Sequence, residues 1–358
     1  MRLHPYPSPV RGIALIVVMI LVLAMAVIAG AFAYAMKVET RLSVRTQSSG
    51  ELEWLGRSGV EYARWALDQQ RRIPGEGRYH ALNQFWAGGP GPATGIDNPF
   101  AGMSLNNIEI GTGRISIEIV DAERKLNINK LNDPRRLQLV LEQLGIVASD
   151  ADSLISALGD WKDPDSNPRP NGAEDDYYLS LDPPYYAKNA PIDDISELLK
   201  IRGITREMYW GSRSRGHVQV STGEGSNVPT PATGLVDIFC AVSGDGVNVN
   251  TAPQAVLQVM LGGDPFLAQQ LITQRAGLDG VDGTIDDTPF PTPPNIGQLT
   301  ASGAPGPGAG VGAGFVIISS VFEIRVTAEI GGTRKRYFAL YRMGGDRNGQ
   351  IMVFHPDE

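Results

Sequence analysis

Cysteine is nearly absent from this chain and histidine is scarce. One cysteine, Cys240, stands among 358 residues, so no disulfide can form within the chain. Four histidines leave little material for a zinc site. A basic surplus is also missing: 31 Lys and Arg face 39 Asp and Glu, a formal net charge of −8. That balance weighs against a protein that grips a phosphate backbone. No G-x-S-x-G or comparable nucleophile motif occurs. His80, His217 and His355 have no partner pattern and read as surface or capping residues, and Cys240, between Phe239 and Ala241, reads as a small buried hydrophobe. Catalysis is therefore not expected.

What the chain does have is an oily N-terminus. Residues 13–36 carry no charge and are rich in Val, Leu, Ile, Met and Ala. About 24 residues at 1.5 Å each reach roughly 36 Å, enough to cross a bilayer core of about 30 Å. Arg2 and Arg11 precede the run and Lys37 follows it. It is longer than the apolar region of a secretory signal, and no small-x-small site ends it. From Lys37 to about Leu67 proline is absent and apolar residues recur at helical spacing (Leu52, Leu55, Ala63, Ala66, Leu67), so the membrane helix is expected to continue as an amphipathic stalk. Pro74-Gly75 stops it.

The rest divides by pattern. Ile115, Ile117 and Ile119 alternate in a half-buried strand, and Phe322, Ile324, Val326 and Ala328 repeat the alternation. Gly331-Gly332 joins the latter to residues 334–343 as a hairpin. Residues 301–314, nearly all Gly, Ala and Pro, read as a linker. Between the strands lies a weak internal repeat: 126–131 (LNINKL) leads into a helix over 137–144, and 247–253 (VNVNTAP) into one over 255–261 with Thr251 as N-cap. Both look like helix-hairpin-helix or SAM-like units, and 195–204 resembles the end of another. Such units often bind DNA through hairpin amides, but Gly262-Gly263-Asp264 puts an aspartate where phosphate would sit. The expected fold is α+β, a long N-terminal helix with an antiparallel sheet interrupted by a helical insertion.

Residues 160–178 (DWKDPDSNPRPNGAEDDYY) crowd oxygen ligands together without histidine or cysteine, which favours calcium over zinc or iron. The candidate ligands are Asp163, Asp165, Asn167, Asn171, Glu174, Asp175 and Asp176. Asp163, Asp165, Asn167 and Glu174 fall at positions 1, 3, 5 and 12 of an EF-hand, but Pro168 occupies the position that needs glycine, so any calcium loop here has another shape. A weaker candidate set is Asp279, Asp282, Asp286 and Asp287. With no disulfide available, bound calcium is the expected fastener for these loops.

Arg11-Gly12 directly before Ile13-Ala14-Leu15 resembles the prepilin leader of type IV pilins and type II secretion pseudopilins. The resemblance implies cleavage by the prepilin peptidase between Gly12 and Ile13, with N-methylation of Ile13. Most pilins carry glutamate at the fifth mature position; here it is Val17. That departure is similar to the K-type minor pseudopilin (general secretion pathway protein K family), as are residues 160–178 and the helical insertion. The resemblance implies a tip position on the pseudopilus, where the protein helps initiate assembly and protein export. Implied partners are the I-, J- and H-type minor pseudopilins, the inner-membrane secretion machinery and secreted cargo, with no nucleic acid. The implied location is the inner membrane, single pass, with a periplasmic domain. On this reading the chain divides into a leader (1–12), a transmembrane helix (13–36), a stalk with the first part of the pilin-like domain (37–124), a helical insertion (125–275), and loops with C-terminal strands (276–358). Rival readings are a membrane-anchored competence-type DNA binder, a minor type IV pilin and a calcium-dependent hydrolase.

Overall fold

A computed structural model of the chain describes residues 12–91, 98–211, 233–296, 314–344 and 349–357. The leader residues 1–11, His217 and linker residues 301–313 lie outside them.

Helix α1 (Gly12–Gln70) is a single rod of 59 residues, about 90 Å at 1.5 Å per residue. Its first part, Ala14–Thr40, is wholly unburied, and an 18-residue window within it has a mean hydropathy of 3.1. The large apolar side chains from Leu15 to Met36 are each 49% to 72% exposed. Past this stretch the helix buries the stripe Leu52, Leu55, Val60, Ala63, Ala66 and Leu67 against the sheet. Two glycines set how closely it lies. A Cβ on Gly56 would come within 2.5 Å of the Tyr337 ring, and one on Gly59 within 2.5 Å of Val326 Cγ1. The rod ends just before Pro74-Gly75, as the pattern requires.

The remaining elements in chain order are β1 (Ile108–Ile110), β2 (Gly113–Asp121), β3 (Leu126–Asn127), α2 (Pro134–Gln143), α3 (Ala148–Lys162), α4 (Asp175–Tyr178), α5 (Arg206–Trp210), α6 (Leu235–Ile238) and β4 (Phe239–Cys240). They continue with β5 (Val247–Asn248), α7 (Gln254–Met260), α8 (Pro265–Arg275), β6 (Phe315–Val316), β7 (Val321–Ile330), β8 (Thr333–Arg342) and β9 (Gln350–Asp357). An antiparallel sheet runs in the order β1-β2-β7-β8-β9. The expected alternations set its register: Ile115, Ile117 and Ile119 pair with Ala328, Val326 and Ile324, all buried beneath α1. Gly331 (φ 55°) and Gly332 (φ 83°) form the two-residue turn between β7 and β8. The edge strand β9 carries no alternation in its sequence and was not expected.

Between β2 and β7, which are neighbours in the sheet, the chain leaves at Asp121 and returns at Val321. The excursion has its own core, from Leu126 to Phe315. It reaches past the expected boundary at 275, because Phe290, Ile296 and Phe315 bury their side chains in it. The repeat seen in the sequence is a repeat in space. Two parallel ladders, β3–β4 and β5–β6, each start a unit. Asn127 Oδ1 accepts the Asn129 N–H, and Asn248 Oδ1 the Asn250 N–H, both at 3.0 Å. Each unit then turns between two helices on a positive-φ glycine, Gly145 (φ 77°) or Gly262 (φ 73°). Each second helix ends on a cation that reaches back to the residue just after the unit's first strand: Lys162 donates to Ile128 O at 2.8 Å, Arg275 to Val249 O at 2.6 Å.

Two expectations fail at the junction of sheet and helical unit. Thr251 does not cap α7, whose N-cap is Pro253; its hydroxyl is buried and donates to Asp121 Oδ2 at 2.5 Å. His80 is not at the surface. It is 2% exposed, its Nδ1 accepts the Ser319 N–H at 2.9 Å, and its ring meets Phe322 and Trp86 edge-on. Asp121 Oδ2 also accepts from the Ser319 hydroxyl (2.7 Å) and Asn248 Nδ2 (3.0 Å). Burial, reinforced by the neighbouring Glu123 charge, pushes the Asp121 carboxyl up to about 7. Both residues were invisible to pattern reading because their partners lie far away along the chain. Cys240 is buried as expected, and burial pushes its thiol up to about 12. His355 lies on the exposed part of β9.

Candidate metal centre

The acidic loop is wrapped around a carboxylate that belongs to the helix before it. Asp160, near the end of α3, is wholly buried. Its oxygens accept the Ala173 N–H (2.8 Å), the Arg169 N–H (3.2 Å) and Arg169 Nη1 (3.0 Å). Two glycines permit the wrap. A Cβ on Gly172 would stand 1.9 Å from Asp160 Oδ2, and one on Gly159 would stand 2.5 Å from Arg169 Nη1. Arg169 therefore lies over the α3 backbone and reaches a second carboxylate, Asp163 Oδ2, at 2.6 Å.

This frame brings three of the seven candidate ligands together. One oxygen each from Asp163, Asp165 and Glu174 lies within 4.8 Å of the others, the group of three such residues found among the described residues. Glu174 is 4% exposed, and neither of its oxygens has a hydrogen-bond donor. Asp163 Oδ1 is likewise buried without a partner. Burial pushes the Glu174 carboxyl up to about 7, with the charges of Asp160, Asp163, Asp175 and Asp165 adding to the effect. A buried carboxylate with no donors, facing two others, carries an unmet demand for positive charge. Oxygen donors alone, with no nitrogen or sulfur, fit a hard cation. The donor set therefore fits calcium.

The other four candidates stand apart. Asn167 is exposed and gives its N–H to Asp165 Oδ1 at 2.9 Å. Asn171 is exposed with φ 63°, and Asp176 is exposed on α4. Asp175 turns to the Ala187 N–H at 2.8 Å. The second set is not gathered in this way. Asp282 forms a two-pronged pair with Arg275 at 2.9 and 2.7 Å. Asp286 Oδ2 accepts the Leu278 and Asp279 N–H groups, Asp287 Oδ2 accepts the Gly283 N–H, and Asp279 Oδ1 accepts the Val281 N–H. In that loop the buried guanidinium of Arg275 supplies the positive charge.

Sequence reading missed Asp160 and Arg169, the pair that shapes the loop. Asp160 sits among buried apolar positions of α3, a conflict with the helical pattern that could have marked it. At the Gly262-Gly263-Asp264 hairpin, Asp264 Oδ1 accepts the Phe266 and Leu267 N–H groups at 2.9 and 3.1 Å. The helix amides that would meet a phosphate are already capped.

Known proteins resemble the chain in sequence and in fold. A family model described as "Type II secretion system (T2SS), protein K" matches residues 124–213. The type II secretion system protein K of Pectobacterium carotovorum is 32% identical over 31% of this chain and 39% of its own length. That of Klebsiella pneumoniae is 35% identical over 28% of this chain and 34% of its own length. In both, the match spans well under two thirds of the relative. The protein K of Pseudomonas aeruginosa is 25% identical over 84% of this chain and 78% of its own length. Among solved structures, a chain of the GspK-GspI-GspJ complex from the type 2 secretion system of enterotoxigenic Escherichia coli shares the fold. Its TM-score is 0.63 at 18% identity, over 88% of this chain and 99% of that one.

Proposed function

We propose, for a chain that belongs to the type II secretion system protein K family, the role of a minor pseudopilin at the tip of the pseudopilus, where it helps initiate assembly and protein export. The family is structural and non-enzymatic. The observation that carries the proposal is α1: its apolar first part, within the wholly unburied span Ala14–Thr40, continues without a break into the helix that the sheet packs against. Such a rod is suited first to a bilayer and then to a bundle of like helices. Cleavage after Gly12, with N-methylation of Ile13, would leave the rod intact. Val17 at the fifth mature position removes the carboxylate that would otherwise need a partner in such a bundle. The helical unit between Asp121 and Val321 adds bulk beside the sheet that suits a filament end better than a repeating shaft.

The proposed partners are the I- and J-type pseudopilins, the company kept by the solved relative, together with the H type, the inner-membrane machinery and secreted cargo. The proposed location is the inner membrane, with the globular part in the periplasm. Calcium held by Asp163, Asp165 and Glu174 would supply positive charge to a buried carboxylate cluster and tie the loop to α3.

The test is the N-terminus of the protein purified from cells that contain a prepilin peptidase, followed by co-purification with the I- and J-type subunits. A chain beginning at N-methylated Ile13 that carries both partners is expected. A chain beginning at Met1, or beyond Met36, would overturn the assignment.

A further inference from the structure

Among the described residues, seven buried side-chain polar atoms lack a hydrogen-bond partner, and four of them come from one neighbourhood: Asp163 Oδ1, both Glu174 oxygens and Asn189 Oδ1. Asn189 lies outside the acidic loop, yet its segment is pinned to that loop at two points. The Ala187 N–H donates to Asp175 Oδ1 at 2.8 Å, and Asn189 Nδ2 donates to Ser166 Oγ at 3.4 Å. Asp175 directly follows Glu174, and Ser166 directly follows Asp165. Between these two points the Lys188 side chain turns to Asp193 and Glu197. Asn189 is thus held beside the carboxylates with its Nδ2 engaged and its amide oxygen buried without a donor. A buried amide oxygen left unpaired is costly.

The carboxylates by themselves are short of oxygens for calcium. Asp163 Oδ2 is held by Arg169, and Asp165 Oδ1 accepts the Asn167 N–H. Asp163 Oδ1, Asp165 Oδ2 and the two Glu174 oxygens remain, for an ion that takes roughly 6–8. We propose that Asn189 Oδ1 is a fourth side-chain ligand of this site, a neutral oxygen from a separate segment, so that the cation joins residues 187–189 to the acidic loop. An amide oxygen adds a ligand without adding to the repulsion among three carboxylates, and calcium accepts such carbonyl donors. This ligand rests on the calcium reading of the acidic loop and extends it to a segment that the loop does not contain.

The test uses the full chain in nanodiscs of zwitterionic lipid, stripped of metal by chelator. Calcium is titrated by calorimetry, and europium(III) serves as a luminescent stand-in whose decay in H2O and D2O counts the waters on the ion. Asn189→Gly is expected to bind calcium about tenfold more weakly and to gain about one bound water, which takes the place of the amide. Glycine accepts the φ of 48° at this position, so the metal-free thermal midpoint is expected to stay close to that of the parent. Asn189→Asp, which keeps an oxygen there, is expected to bind calcium at least as tightly as the parent. If Asn189→Gly binds like the parent, or binds more weakly with no water gained, Asn189 is not a ligand and the proposal falls while the calcium reading stands. If the parent binds no calcium, or Glu174→Gln binds it unchanged, the calcium reading falls and the role of Asn189 falls with it.

Discussion

Asn129 and Asn250 make the same clasp at two places in the molecule. The Asn129 side chain accepts the Ile192 N–H at 2.8 Å and returns a bond to Ile192 O at 2.8 Å. The Asn250 side chain accepts the Phe290 N–H at 2.8 Å and returns a bond to Phe290 O at 3.1 Å. Each asparagine follows the short strand that opens a helical unit, and each holds a segment 63 or 40 residues away as a neighbouring strand would. The two units are thus closed by the same chemistry on different residues.

Replacing Asn250 with alanine should leave the Phe290 backbone groups buried without partners. The expected loss is about 2–4 kcal/mol, from two orphaned groups at about 1–3 kcal/mol each less some relaxation. Asn129→Ala should cost less, since Asn129 is only half buried and water can replace it. Urea unfolding of the two variants checks this, and a larger effect at Asn129 would contradict it.

Glu174→Gln removes a carboxylate that has no donors of its own. Calcium affinity should fall at least about tenfold, whereas the calcium-free protein should be no less stable than the parent, since an unpaired buried charge has been removed. Calorimetric titration and thermal melts in chelator provide the two readings. A destabilised calcium-free variant would show that Glu174 has a partner other than a metal.

Gly172→Ala places a Cβ on the Asp160 carboxylate. The loop must shift or Asp160 must lose its amide donors, at a cost of about 2 kcal/mol or more. Faster proteolytic cleavage within 163–174, with weaker calcium binding, is the expected outcome. Unchanged cleavage and binding would mean that the close approach is not needed.

Acid should weaken the junction through His80. Burial, with the Arg71 charge as a smaller cause, lowers its imidazole to about 4, below the free value of 6.5. A lowered folded value means that the unfolded chain takes up the proton first. The contribution of His80 is therefore intact above pH 6.5 and is lost as the pH falls toward 4, by up to about 3 kcal/mol. Denaturant midpoints measured across that window should fall in the parent and fall less in His80→Gln. Parallel curves for the two proteins would remove His80 as the cause.

The acidic loop was legible as a candidate site because its oxygens lie close together in the chain and no softer ligand accompanies them. Which oxygens converge was not legible. Asp175 and Asp176 are aspartates of the same loop as Asp163, yet one faces the Ala187 amide and the other faces water. The choice is made by Asp160 and Arg169, which fold the loop back on α3, and by the glycines that let them come close. Asp279, Asp282, Asp286 and Asp287 looked similar in sequence. Their surroundings differ because Arg275 ends α8 where Lys162 ends α3, and its guanidinium reaches Asp282.

From its residues alone the chain specifies a long apolar rod, an amphipathic stalk, alternating strands and a glycine turn, because each depends on neighbours within a few positions along the backbone. The burial of His80, the hydroxyl of Thr251 on Asp121, the convergence of Asp163, Asp165 and Glu174, and the two asparagine clasps were decided only when distant segments met. Hydrogen bonding and desolvation act through space, and a one-dimensional pattern does not record which remote group will satisfy a buried polar atom.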